Sequence, residues 1–288
     1  MRIVLAFLFF ANLSYAQDLM QILDVETDSS TWVSATFKNT RVINAHSIET
    51  IAQKHLEFRI SHRFGSVNSG YYELWGLDQS QIRWGLEYGI TDRLNIAIGR
   101  SSFQKVYDSY IKYKLFRQRT GAQSIPVTIT LLSVATVQTL KVNSALYPNY
   151  AFRNRLAYVH QIIIARKFSE RYSFQVSPTV LHRNGVREGE GKNTILSCVG
   201  AGRIKFSKRV ALNAEYFYVF PNQLPNIYQN AFSIGFDIET GGHVFQLHFT
   251  NSRSMVEKGV IAETYGNWEK GDVFYGFNIS RMFSFRKK

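Results

Sequence analysis

The phrase His248-Phe249-Thr250-Asn251-Ser252 is where the chain comes nearest to a reactive arrangement. An imidazole and a hydroxyl two residues apart on an extended strand point to the same side. His248 could then take a proton from the Thr250 hydroxyl, with Asn251 adjacent, in a base-assisted nucleophilic attack. Two features count against that chemistry. Thr250 is a β-branched secondary hydroxyl, stiff at χ1. The alternation around it also groups Gln246, His248 and Thr250 on one face against Phe245, Leu247 and Phe249 on the other. The bland reading is a hydrogen-bonding pair on a polar face. No metal site is expected, because His46, His55, His62, His160, His182, His243 and His248 are scattered without zinc spacing. Glu188 and Glu190 share a loop with Arg183, Arg187 and Lys192, a mixed-charge stretch that does not make a calcium cage. Gly241-Gly242 reads as a hairpin turn, Cys198 as an inert packed thiol, and no cofactor is implied.

A second set of residues matters through charge. Arg59, Arg63, Arg83, Lys112, Lys114 and Arg155 all fall on the polar side of alternating segments. If they line a lumen or mouth, they would favour passage or binding of small anions. Equally, they could pair with Glu57, Glu87, Asp108, Glu215, Asp237 and Glu239 in a charge-laced interior that holds the wall closed.

The elements that position these residues are strands. Period-2 alternation runs through Leu56, Phe58, Ile60 and Phe64 against Glu57, Arg59, Ser61 and Arg63. It returns in Ile82, Trp84, Leu86 and Tyr88, in Leu94, Ile96 and Ile98, and in Ile111, Tyr113 and Leu115. Later strands carry Tyr172, Phe174 and Val176, then Val210, Leu212, Tyr216 and Tyr218, then Phe232, Ile234, Phe236 and Ile238, and finally Tyr275, Phe277 and Ile279. About twelve strands result, with no long amphipathic helix. Tight turns at 91–93, 169–171, 207–209 and 240–242 alternate with longer loops at 65–80, 138–154, 183–192, 221–228 and 251–271. Short on one side and long on the other is the connectivity of a membrane barrel. A secreted soluble β-sandwich also alternates and is the competing reading.

Composition narrows the choice. The 288 residues are 15% aromatic, too much for a disordered chain, and the lone Cys rules out a disulfide scaffold. The longest apolar run, 3–11, is far below the ~20 residues of a spanning helix. Met1-Arg2, that run and Ser14-Tyr15-Ala16 read as a signal peptide over 1–16. Residues 17–53 then form a weakly patterned arm, periplasmic or folded into a lumen, and 54–288 the transmembrane β-barrel. Export argues against nucleic acid as the partner of a chain with net charge +13 and pI about 9.8. Full charges on one face and aromatics near strand ends favour the barrel, because lipid forbids an open sheet edge.

The runs Ile90-Thr91-Asp92-Arg93-Leu94-Asn95-Ile96 and Gly242-His243-Val244-Phe245-Gln246-Leu247-His248-Phe249-Thr250-Asn251 carry a resemblance, together with 54–64 and the closing 274–285 strand. They resemble a Bacteroidota family of membrane β-barrels of unknown function. The resemblance implies an outer-membrane barrel of a Gram-negative bacterium and no known substrate. Separately, the 248–252 phrase looks like the His-x-Ser-Asn phrase of outer-membrane lipid hydrolases, which would make His248 the base and put Thr250 in the place of Ser. The expectation is an all-β, antiparallel up-and-down barrel without an evident catalytic site, acting as a narrow pore or as a structural or binding envelope protein. A lipid-modifying hydrolase using His248 and Thr250 is the alternative. Partners would be outer-membrane lipids, small anionic solutes and, during biogenesis, the barrel-assembly machinery. Such machinery often reads a terminal aromatic, whereas here Phe285 is followed by Arg286-Lys287-Lys288.

Overall fold

In the computed structural model, which describes residues 30–143, 150–186 and 189–285, twelve antiparallel strands close into one barrel. They are β1 (His55–Ser66), β2 (Ser80–Gly89), β3 (Leu94–Ser101), β4 (Val106–Phe116), β5 (Thr128–Gln138) and β6 (Leu156–Lys167). The second half is β7 (Tyr172–Arg183), β8 (Thr194–Lys205), β9 (Val210–Val219), β10 (Ala231–Thr240), β11 (His243–Thr250) and β12 (Phe274–Ser284). Each strand pairs with its sequence neighbours, and β12 closes the ring on β1 from Phe274↔Ser66 to Ser284↔His55. Closure satisfies the backbone without an edge, so the wall can stand in hydrocarbon. A two-sheet sandwich is thereby excluded. The proposed signal segment 1–16 lies outside the described residues.

Alternation sorts the side chains. In β1, Glu57, Arg59, Ser61 and Arg63 are buried inside while Leu56, Phe58, Ile60 and Phe64 face out. Every strand repeats this, so Trp84, Ile98, Ile111, Phe174, Phe236 and Leu247 form an exposed apolar outer surface. Phe274 does not join this surface: its ring is buried next to the register shift between Phe274 and Gly276. The turns at 90–93, 168–171, 206–209 and 241–242 lie at one end with the start of β1 and the end of β12. At the other end are longer connections, except that β3 and β4 are joined by only 102–105. The turn end has its own exception at 117–127. Its Arg119–Thr120 pairs with Thr31–Trp32, so that turn is long enough to guide the entering N-terminal chain.

The interior is not a water-filled tube. Residues 33–52 run into the barrel from the turn end, reverse at 42–45 and return to start β1. The reversal is closed by Val42 N donating to the Ala45 carbonyl (2.8 Å) and Ser47 N to the Thr40 carbonyl (2.9 Å). From the loop end, 251–264 folds down and carries the short helix α1 (Glu257–Ala262), of which Val260, Ile261 and Ala262 are fully buried. Around them the lumen has two kinds of wall. Leu132, Val134, Val159, Ile163, Leu181, Ile195, Val199 and Phe217 on β5–β9 pack with Phe37, Val42, Ala45, Ile48 and the α1 side chains. Strands β1, β2 and β4 present most of the charged residues, joined by Arg183, Arg203, Glu215 and Asp237 on β7–β10.

Candidate functional site

The inserted hairpin is held chiefly by barrel side chains bonding to its backbone. At its tip, the amides of Ile43 (3.0 Å), Asn44 (2.8 Å) and Ala45 (2.9 Å) donate to the Glu215 carboxylate on β9. Three amides converging on one carboxylate make a nest for negative charge. Asn44 Nδ2 also donates to Ser233 Oγ on β10 (3.0 Å), and Arg63 Nη2 donates to Asn44 Oδ1 (2.9 Å). Down the two legs, Lys112 Nζ donates to the Thr40 carbonyl (2.9 Å) and the Glu49 carbonyl (3.2 Å). Gln175 Nε2 donates to the His46 carbonyl (2.7 Å), Thr130 Oγ1 to the Ile48 carbonyl (3.1 Å), and Gln246 Nε2 to the Val42 carbonyl.

The hairpin and α1 meet at the centre. Arg41 Nη1 donates to Glu257 Oε1 at 2.5 Å and to the Asn44 carbonyl at 2.6 Å, and His46 Nε2 lies 3.0 Å from the same Glu257 oxygen. All three side chains are buried. Burial alone would raise the Glu257 pKa, but Arg41 and then His46 overcome it and hold the carboxyl well below the usual range. Burial, followed by the Arg41 charge, pushes His46 down to about 3, against the pull of Glu257. The junction therefore holds a carboxylate, a guanidinium and a neutral imidazole.

The basic residues singled out from sequence are spread around the interior rather than gathered. Arg59 bonds Glu57 (2.6 Å), Arg83 pairs with Asp108, Lys112 lies 4.0 Å from Glu87, and Lys114 3.6 Å from Glu49. Arg63 donates to the Ser252 carbonyl as well as to Asn44, tying both lumen-filling segments to β1. Arg155 sits at the loop-end rim, where Nη1 donates to the Gln138 (3.1 Å) and Leu140 (2.6 Å) carbonyls. Each thus has a partner within the chain, and the lumen offers no free band of positive charge among these six.

His248, Thr250 and Asn251 are all buried inside. His248 and Thr250 share a face, yet the Thr250 hydroxyl accepts from Ser233 Oγ (2.9 Å) and from Ser252 N (3.2 Å). Room for the His248 ring depends on two glycines. A Cβ at Gly276 would meet Nε2 at 3.0 Å, and one at Gly235 would meet the His248 Cβ at 2.6 Å. Asn251 fastens the loop to the wall, accepting from Phe232 N (2.8 Å) and donating to the Gly266 carbonyl (2.8 Å). A hydroxyl–imidazole pair does face the outside, at Ser133 Oγ and His160 Nδ1 (3.1 Å). It forms across β5 and β6 at directly opposed positions, so spacing along the chain gave no sign of it. Among the described residues, no group of three His, Cys, Asp or Glu side chains gathers to hold a metal.

The family model described as "Membrane bound beta barrel domain (DUF5777)" matches residues 37–283. The chain belongs to this family. The match begins within the inserted hairpin, so the hairpin's return leg and the barrel are one family unit. No curated relative matches the sequence. Among solved structures, the chain is similar to the NanC porin, at 8% identity and a TM-score of 0.48 over 81% of this chain and all of that one. It is similar to the KdgM porin at 7% identity, TM-score 0.47, over 80% and 99%. An outer-membrane channel from Pseudomonas putida F1 gives 14% identity, TM-score 0.46, over 82% and 98%.

Proposed function

We propose that this DUF5777 barrel is a gated outer-membrane channel of a Gram-negative envelope, closed by the 33–52 hairpin as its gate. The observation that carries the reading is how the hairpin is held. Its tip and legs are bound by Glu215, Lys112, Gln175, Thr130 and Asn44–Ser233 through hydrogen bonds that water can replace. Helix α1, by contrast, buries Val260, Ile261 and Ala262 against the apolar wall and meets the hairpin through Glu257. Both ends of the hairpin emerge at the turn end, which in a barrel of this connectivity is the periplasmic side. The segment can therefore be drawn out without unthreading the wall. Withdrawal exposes Arg63 and Lys112 by removing their Asn44 and Thr40 partners, a change that suits small anionic solutes, while Arg59 and Arg83 stay paired with Glu57 and Asp108 on the wall. The outer wall contacts membrane lipids, and the C-terminal aromatic Phe285, whose N donates to the Lys54 carbonyl (2.8 Å), is the residue that assembly machinery would read.

The test is conductance of the refolded protein in planar bilayers, compared with a variant whose residues 33–52 are deleted. The intact protein is expected to be silent or to flicker rarely, and the deletion to give stable, anion-selective steps. A deletion variant that folds and stays silent would refute the gate and leave a purely structural envelope barrel.

A further inference from the structure

We infer that the outer wall across β2–β5 carries a binding site for a phosphate-bearing anionic lipid, with Arg100 at its head and an acyl slot beneath. The inference uses the bilayer-embedded wall of the reading above and is independent of whether the hairpin opens. The register sets the site out in two rows. Trp84, Arg100, Tyr107 and Val137 are opposed in sequence across the four strands, next to the loop end. Two residues further in, ~7 Å along the strands, lies the row Leu86, Ile98, Ser109 and Ala135, with Phe58 of β1 opposite Leu86.

The lower row explains the slot. Ser109 and Ala135 are small, while Phe58, Leu86 and Ile98 beside them are bulky, so the wall is indented between strands. The indentation is a groove of about 480 Å³ lined by Phe58, Trp84, Leu86, Ile98, Ala135 and Val137. The lining is mainly apolar, with Arg100 and Tyr107 at its upper end, and it spreads across β1–β5 over the two rows of side chains. An acyl chain fits such a slot in shape and polarity.

Charge decides which lipid. Arg100 lies at the top of the groove, its Nε donating to Tyr107 Oη (3.2 Å) and its guanidinium 5.5 Å over the Tyr107 ring. Those two contacts hold the plane of the group while its terminal nitrogens stay available, the arrangement that suits bidentate binding of a phosphate. Lys105 is exposed on the turn that joins the same two strands, and its backbone there has φ +50°. The turn keeps this conformation through Thr139, whose N (3.1 Å) and Oγ1 (2.6 Å) both donate to the Lys105 carbonyl. Among the described residues neither Arg100 nor Lys105 has a carboxylate partner, unlike the basic residues of the lumen. Two cations above an apolar slot match a phosphate head above its own chain.

Trp84 is directly opposite Arg100 and exposed, so its fluorescence reports occupancy. The test uses a full-length variant in which Trp84 is the sole tryptophan (Trp32→Phe, Trp75→Phe, Trp268→Phe), folded into phosphatidylcholine vesicles. A minority of the lipid is replaced by brominated phosphatidylglycerol in one arm and brominated phosphatidylcholine in the other. Quenching of Trp84 is expected to show about a fivefold preference for the anionic lipid, the size of a charge-assisted contact at a partly exposed site. Arg100→Gln should bring the two lipids to parity, and Lys105→Gln should reduce the preference in part. Ala135→Leu, which fills the slot and leaves both cations, should lower quenching by the anionic lipid. Equal quenching in the Trp84 protein would overturn the site. So would a preference untouched by Ala135→Leu, since that is diffuse attraction to a basic rim without a slot. Retention of the heat-sensitive gel mobility of a closed barrel certifies that each variant is folded.

Discussion

Arg41 stands where the two lumen-filling segments touch, and its guanidinium bonds both, Glu257 of α1 and the Asn44 carbonyl in its own hairpin. Removing one member of a buried ion pair leaves the other without compensation, a loss of ~3 kcal/mol or more. Arg41→Ala is therefore expected to lower the midpoint of hairpin release, read by protease cleavage within 33–52, by that margin. Glu257→Gln should cost less, because Arg41 keeps the Asn44 carbonyl. His46 adds a dependence on pH. It packs edge-on against Tyr110 (4.5 Å between centroids), contacts Glu257, and feels the charges of Arg41 and Lys112. In the closed form burial and Arg41 depress it from 6.5 to about 3, so the closed form excludes a proton that a released, hydrated hairpin accepts. The stability it contributes is complete above about 6.5 and falls away toward about 3 as acid favours the state that binds the proton. Glu257, depressed instead below the carboxylate range, holds its contribution until stronger acid. Hairpin release should thus rise from neutral pH into mild acid, and His46→Asn should flatten that rise. An unchanged pH profile in His46→Asn would place the sensor elsewhere.

At the scale of elements, the proposed gate is a hairpin docked at its tip by Glu215 and Ser233, and this can be locked. Asn44 Nδ2 and Ser233 Oγ are 3.0 Å apart. In a Cys198→Ser background, Asn44→Cys with Ser233→Cys should form a disulfide under oxidation that abolishes release in acid, with dithiothreitol restoring it. Release that continues with the crosslink formed would mean that the legs, not the tip, move. The strands themselves were legible from residue types alone, because a wall with lipid outside and polar groups inside imposes strict alternation, as in β1 and β11. Alternation also correctly put His248 and Thr250 inside. The hairpin was not legible. Residues 33–52 carry no period, since a segment surrounded on all sides by barrel has no single apolar face to mark. Its partners lie far off in sequence, Glu215 for the tip and Glu257 for Arg41, so nothing local announces them. The same reason hid the pairing of Arg83 with Asp108 and the cross-strand Ser133–His160 contact. Residue types showed which groups would be inside, and register decided which of them meet.

For the molecule as a whole, the question is what a twelve-stranded ring does with its interior. Eight strands leave just enough room for side chains and sixteen a wide aqueous channel. Twelve leave a space that side chains of the wall alone do not fill, and this chain fills it twice, from the turn end with 33–52 and from the loop end with 251–264. The two fillers differ in how they are held. The helix α1 buries Val260, Ile261 and Ala262 against the apolar half formed by β5–β9, and Asn251 and Thr264 anchor its ends. The hairpin contributes apolar groups too, but its tip and legs are tied to the wall by polar bonds. Because the backbone ladder from β1 round to β12 is complete without either, the barrel should survive the loss of both as a heat-resistant closed ring. Conductance should then rise in a fixed order: none for the intact chain, small steps when 33–52 are deleted and α1 still narrows the loop end, and larger steps when α1 is also replaced by a short glycine-rich turn. Deleting α1 alone should leave the channel shut, since the hairpin still reaches Glu215 and Arg63 at the level of β9 and β1. Bilayer recordings of the four proteins side by side decide the matter, and steps from the α1 deletion alone would assign the gate to the loop end instead.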